Sequence, residues 1–150
     1  TNKMKTEVLD AQADIEIDEL NAQSAGTLME SLGIHYTHVS KERVEATMPV
    51  DKRNRQPFGV LHGGATLALA ETVAGIGSLA ICKEDETAVG MQVSGNHVSP
   101  AKEGETVLAI ATPIHIGHRT HVWSVDVKGK DGKLVSSIRV VNAILKKRKD

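Results

Sequence analysis

Ten residues, Gln56-Pro57-Phe58-Gly59-Val60-Leu61-His62-Gly63-Gly64-Ala65, run into an apolar segment that carries a single acid, Glu71. Two successive glycines at a helix start let another group approach the backbone with no Cβ in the way. The first-turn N–H groups of a helix have no partner within it and carry the positive end of its dipole. Such a terminus binds an anion, or an oxygen that is becoming one. Glu71 sits among apolar neighbours, so desolvation is expected to raise its pKa unless donors or cations surround it. A buried carboxylate without partners is expensive. That favours a functional role over a glutamate that simply meets a buried Arg or Lys. Gln56 and His62 read equally as loop and cap hydrogen-bonders or as groups that bear on a substrate.

The elements that must position these residues follow from periodicity. Asp18 to Leu32 reads as one or two short helical turns stopped at Gly33. Ile34–Val39 and Arg43–Val50 read as strands, the second with Val44, Ala46 and Met48 alternating against Arg43, Glu45 and Thr47. A polar loop from Asp51 to Gly59 precedes the long apolar helix. Ala88–Ser99, Thr106–His115, His121–Lys128 and Leu134–Leu145 are strand candidates. Asp131-Gly132 is a hairpin signal between the last two, and Pro113 belongs at an edge or a bulge. Runs of neighbouring strands around one helix predict an antiparallel sheet in an α+β domain, residues 14–150, behind a flexible segment of residues 1–13.

A helix apolar on all sides must be covered on all sides. One curved sheet covers one flank, so a partner subunit is expected on the other. Glu71 also lies eight residues beyond Gly63, roughly 12 Å along the axis at 1.5 Å per residue. Within one protomer the two cannot act on the same carbonyl carbon. Two copies with antiparallel helices about a two-fold axis would bring Glu71 of one to Gly63 of the other.

Composition narrows the function classes. A chain of 150 residues with a net charge of −1 has no broad field for nucleic acid or anionic lipid. Tyr36, Phe58 and Trp123 are too few aromatics for a base-stacking platform. Cys82 is the single cysteine, which rules out an intrachain disulfide and suits a reducing, cytoplasmic setting. The first twenty residues contain no continuous apolar core and do not read as a signal peptide. Gly63–Ile81 approaches transmembrane length, but Glu71 at its centre and its Ala/Gly/Thr content argue for a helix buried in protein.

The decapeptide together with Leu69-Ala70-Glu71-Thr72 resembles the hot-dog thioesterases. More narrowly it is similar to the bacterial branch that holds 1,4-dihydroxy-2-naphthoyl-CoA hydrolase and the proofreading thioesterase of enterobactin synthesis. The likeness extends from about Leu20 to Leu145. It includes Glu45 to Asp51, Asn96-His97-Val98, Glu103-Gly104, Gly117 with Arg119, Val122-Trp123 and Ala143-Ile144-Leu145. The resemblance implies a hot-dog fold, a long central helix wrapped by a curved antiparallel sheet. It also implies a homodimer with one continuous sheet, paired further into a homotetramer. The substrate implied is an acyl-CoA thioester with an aromatic acyl group, as in menaquinone biosynthesis, with CoA as part of the substrate and no separate cofactor.

By the same resemblance Glu71 is the attacking carboxylate or the base that activates water. The Gly63 N–H polarises the thioester oxygen, while Gln56 and His62 orient the thioester and assist the leaving group or the water. The CoA arm would run along Gly90, His97, Val98, Ser99 and Pro100, and along His115, Ile116, Gly117, His118, Arg119 and Thr120, with Arg119 suited to a phosphate. Ser99 stands where close relatives often carry Arg, so a nucleotide contact is expected to be missing or moved, for instance to Lys102. His115, His118 and His121 recur every third residue, but Gly117 interrupts them and a strand would point His118 away from the others, so no metal site is expected. A non-catalytic acyl-CoA sensor or carrier on the same fold is the alternative, and the intact Gln, His and Glu set argues against it.

Overall fold

The computed structural model of the protein describes residues 17–149. The segment expected to be flexible, residues 1–13, lies outside the described residues. Two short helices, α1 (residues 17–23) and α2 (Leu28–Leu32), precede β1 (His35–Val39) and β2 (Val44–Pro49). The long helix α3 (Gly63–Ile81) follows, then β3 (Glu86–His97), β4 (Thr106–Ile116), β5 (Thr120–Lys128) and β6 (Leu134–Lys146). All six strands form one antiparallel sheet in the order β1-β2-β4-β5-β6-β3. The α+β expectation therefore holds, with one long helix laid on one antiparallel sheet.

Period-2 alternation decides which face α3 covers. Val44, Ala46 and Met48 of β2, Val107, Ala109 and Ala111 of β4, Trp123, Val125 and Val127 of β5, and Ile138 and Val140 of β6 are all buried. The helix answers with small side chains, Ala65, Thr66, Ala70, Ala74, Gly77 and Ser78, around Leu69 and Val73. This lets its axis come close to the sheet. Gly77 marks the tightest approach, because a Cβ there would lie 2.5 Å from the Trp123 ring. α3 is long and apolar enough for a membrane span, yet it lies along the sheet with this flank buried.

Two turn expectations are met with their causes visible. Asp131 (φ 58°) and Gly132 (φ 73°) both take the left-handed conformation, and the Lys133 N–H closes the turn on the Lys130 carbonyl at 3.2 Å. Two left-handed central residues are what a primed hairpin turn requires, and Asp-Gly supplies them. Pro113 occupies the register shift between β4 and β5. It also lies beyond Ala111, the last β4 residue paired with β2, so no ladder bond is asked of its missing N–H.

A polar cluster pins the helix to β5 and β6. The Ser78 hydroxyl oxygen lies 2.9 Å from each of Trp123 Nε1, Asn142 Nδ2 and His121 Nδ1. Asn142 Nδ2 also donates to the Ala74 carbonyl at 3.1 Å. Trp123 and Asn142 use both acceptor sites of the hydroxyl, which leaves its proton for His121 Nδ1. His121 is therefore neutral, with its ring proton on Nε2. A second proton on Nδ1 would put three donors on one oxygen.

Burial holds the His121 imidazole below its ordinary pKa; Glu86 pulls the other way and His115 adds to the depression. The unfolded chain, with an ordinary histidine near pH 6.5, then binds a proton before the folded one does. The His121 contribution to stability is complete above about pH 6.5 and is lost as pH falls toward the lower, folded-state pKa. Urea unfolding from about pH 8 to pH 5 should show the midpoint falling in the acid half of that range. His121→Asn should flatten the fall, and an unchanged slope in that variant would remove His121 as its source. The carboxyl of Asp51, held down at about 2 by Arg53, titrates well outside this window.

Candidate active site

His62 is the N-cap of α3, and its Nδ1 accepts the Gly64 N–H at 2.8 Å. The next residue, Gly63, keeps its own N–H free of any acceptor among the described residues. The site is closely roofed. A Cβ on Gly63 would lie 2.7 Å from His97 Nε2, and His97 Nδ1 is itself held 2.7 Å from Ser136 Oγ. Gln56 enters from the preceding loop. Its side-chain carbonyl accepts the Phe58 N–H, which leaves the amide Nε2 as a donor toward the cleft.

These groups border a cleft of about 340 Å³ whose lining includes Gln56, Gly63, Thr66, His97, Val98, Ser99, Pro100 and Ser136. Six residues expected from the sequence, Gln56, Gly63, His97, Val98, Ser99 and Pro100, are thus brought together at the start of α3. Ser99 plays a second part there, since its hydroxyl donates to the Leu134 carbonyl and its N–H to that of Val135. His62 stands apart from the cleft. Its ring borders a separate hollow with Leu28, Leu32, Arg53 and Arg55, whose guanidinium groups are each paired at 2.7 Å, with Asp51 and Glu103.

The expectation that Glu71 is desolvated fails within the single chain. Glu71 lies on the side of α3 that faces the β3 edge of the sheet, is exposed, and forms no hydrogen bond or ion pair among the described residues. The physical reason is the one-sided cover. The sheet buries the Leu69/Val73/Gly77 stripe, and the described residues leave Glu71 and Leu79 exposed beside it, with α1 bordering Leu79 through Leu20 and Gln23. Gly90 is its neighbour on β3, where a Cβ would lie 3.6 Å from Glu71 Oε2. Two and a quarter helical turns separate this pair from Gly63.

The remaining expected residues form a third group. His115 to Thr120 make the β4–β5 hairpin, closed by the Gly117 N–H on the Thr120 carbonyl at 2.9 Å. Ile116, Gly117 and His118 line a hollow with Ile81, Lys83 and Glu86, at the far end of α3 from Gly63. Arg119 is exposed, with no ion pair among the described residues, while its carbonyl accepts the Ile144 N–H at 2.8 Å. His121 turns inward to Ser78 while His115 and His118 face out. The chain therefore presents a donor-lined cleft at one end of α3, a free carboxylate along its open flank and a basic hairpin at the other end.

Reading by motif missed Thr66, Ser136 and Asn142. A signal existed for the last two. On β6 the inward positions read Ser136, Ile138, Val140, Asn142, and polar residues in the buried register of an alternating strand need partners.

The family model described as the thioesterase superfamily matches residues 58–136. The 1,4-dihydroxy-2-naphthoyl-CoA hydrolase of Escherichia coli (strain K12) is 38% identical over 131 residues, 87% of this chain and 96% of that protein. The proofreading thioesterase EntH of Cronobacter turicensis is 37% identical over 129 residues, 86% of this chain and 93% of that protein. Among solved structures, a thioesterase of Haemophilus influenzae superposes with a TM-score of 0.84 at 36% identity, covering 89% of this chain and 92% of that one.

Proposed function

The chain belongs to the thioesterase superfamily and is a thioester hydrolase, and from that premise we propose that it cleaves aromatic acyl-CoA thioesters at a site shared between two protomers. The observation that carries this reading is the separation of complementary parts along one helix. The unaccepted Gly63 N–H is at its start, and the unpaired Glu71 carboxylate is about 12 Å along its uncovered flank. Antiparallel pairing of two such helices joins the halves into two equivalent sites. It also covers Leu79 and sets the free edge of β3, with exposed Val89 and Met91, against a second copy. Dimers of this kind would pair further into tetramers, as the family resemblance implies.

In the assembled site the thioester oxygen points at the Gly63 N–H, with Gln56 Nε2 as a second donor. Both are placed to hold the charge that develops when the carbonyl carbon becomes tetrahedral. Glu71 of the other protomer acts on that carbon, either directly or through a water molecule. Collapse of the intermediate expels the CoA thiolate, which takes up the proton released in the attack, and water supplies the oxygen of the free acid. His97 to Pro100 and the His115–Thr120 hairpin, at opposite ends of one chain, come to the same end of the pair and suit the CoA arm, with Arg119 free to meet a phosphate.

The aromatic preference draws on the substrate that the E. coli relative's name carries. A thiol-release assay over aromatic and straight-chain acyl-CoAs, extended to carrier-protein thioesters, tests it. Release of CoA fastest from the aromatic members is expected. Binding without thiol release would make the protein a sensor or carrier instead, and faster turnover of long straight chains would overturn the acyl preference.

A further inference from the structure

Gly90 sits where β3 slips register against β6, at the bulge between Gly90 and Gln92. A Cβ on Gly90 would lie 3.6 Å from Glu71 Oε2 and 3.9 Å from Asn142 Oδ1. Both are ordinary contact distances, so packing does not demand a glycine here. What the glycine leaves is a notch bordered by two oxygens. The Asn142 side chain is 2% exposed, and its orientation is fixed, because Nδ2 serves Ser78 Oγ and the Ala74 carbonyl, which can only accept. Its Oδ1 therefore faces the notch, and no group among the described residues donates to it. No buried side-chain oxygen or nitrogen among those residues lacks a partner, so this oxygen keeps its access through the notch.

Two acceptors facing one gap call for a donor with two protons. We propose that Asn142 is a positioning residue of the hydrolase, holding the attacking water between its Oδ1 and the Glu71 carboxylate. This rests on the reading of Glu71 given above and chooses its indirect route. A water that donates one proton to Glu71 and the other to Asn142 has its lone pairs directed away from both, out of the notch. Attack forms the new C–O bond while Glu71 takes the proton it already holds by hydrogen bond. The π electrons of the thioester carbonyl move to its oxygen, and that proton later leaves with the CoA thiolate as the C–S bond breaks. Asn142 exchanges no proton; it orients the water, and a misplacement of about 1 Å can cost roughly 10²-fold in rate.

Three measurements on the intact oligomer test the proposal. Asn142→Leu keeps the branched shape and removes the acceptor, together with the Nδ2 bonds to Ser78 and Ala74. Its kcat should fall roughly 10²-fold with KM within about twofold. Ser78→Ala disturbs the same buried cluster but leaves Asn142 Oδ1, and should keep kcat within about threefold while unfolding more easily. Equal kcat losses in the two variants would reduce Asn142 to a packing role, and full kcat in a folded Asn142→Leu would dismiss it. A single wild-type turnover in ¹⁸O-water should place the label in the product acid and none in Glu71. Label appearing first in Glu71 would refute the water route even if Asn142→Leu does not fold. Loss of activity in Glu71→Gln alongside an unaffected Asn142→Leu would end this inference and leave the function standing, whereas an active Glu71→Gln would end both.

Discussion

Glu71→Gln is expected to abolish most acyl-CoA cleavage, with kcat/KM down about 10²–10⁴-fold, the range a positioned base contributes, while the protein folds and assembles as before. The two halves of that expectation have separate causes. Gln keeps the length and polarity of Glu but cannot take a proton at neutral pH, so chemistry stops whether the carboxylate attacks or activates water. Folding is spared because Glu71 has no hydrogen bond or ion pair among the described residues to lose, and substitutions away from such contacts usually change stability by no more than about 0.5 kcal/mol. Thiol release together with urea unfolding and size-exclusion chromatography reads both. Turnover within tenfold of wild type would remove Glu71 from the mechanism. A collapse of the fold would mean that its role is structural.

The second large effect isolates one hydrogen atom. Gly63 is the first residue of α3, the position at which proline is best tolerated, since that N–H has no helical acceptor in any case. The preceding residue already suits a proline, because His62 has φ −69° and ψ 131°. Gly63→Pro should therefore leave the helix intact while deleting the proposed oxyanion donor. Gly63→Ala is the control, because its Cβ meets the same obstacle, His97 Nε2 at 2.7 Å, but keeps the N–H. The proline variant should be slower than the alanine variant by about 10²–10³-fold in kcat. Equal activities would assign the loss to the displaced His97 ring.

Mixing the two inactive proteins carries the test further. A dimer of one Glu71→Gln and one Gly63→Pro protomer has one site with both defects and one with none if the site is shared. Unfolding and refolding the mixture together should then restore activity that neither parent has. A site contained within one chain would restore nothing.

Much of the fold was legible because its signals are local. The alternation Val44, Ala46, Met48 sets the inward face of β2, Asp131-Gly132 sets the last hairpin, and Gly33 ends α2 in a left-handed cap. The cleft at the start of α3 was legible for the same reason, since Gln56, Gly63 and Gly64 lie within nine residues. What escaped depends on distant pairing. Ser78, His121, Trp123 and Asn142 are spread over more than sixty residues and meet only once β5 and β6 are in register under α3. Glu71 reads as buried along the sequence because periodicity reports an apolar helix without saying which flank this chain covers itself. His62 reads along the sequence equally as a cap or as a group that bears on a substrate; its Nδ1 caps α3, and its Nε2 has no partner among the described residues.

The position of β3 has a consequence for synthesis. The strand leaves the ribosome directly after α3, but its sheet neighbour is β6, which pairs Gly95 with Ile138 and Val93 with Val140. Throughout translation of β4 and β5 the nascent β3 has both edges bare, and pairings that close such long loops are slow to form. A premature stop before Leu134 would thus strip two strands from the sheet rather than one, and would release a chain with unpaired edges open to aggregation.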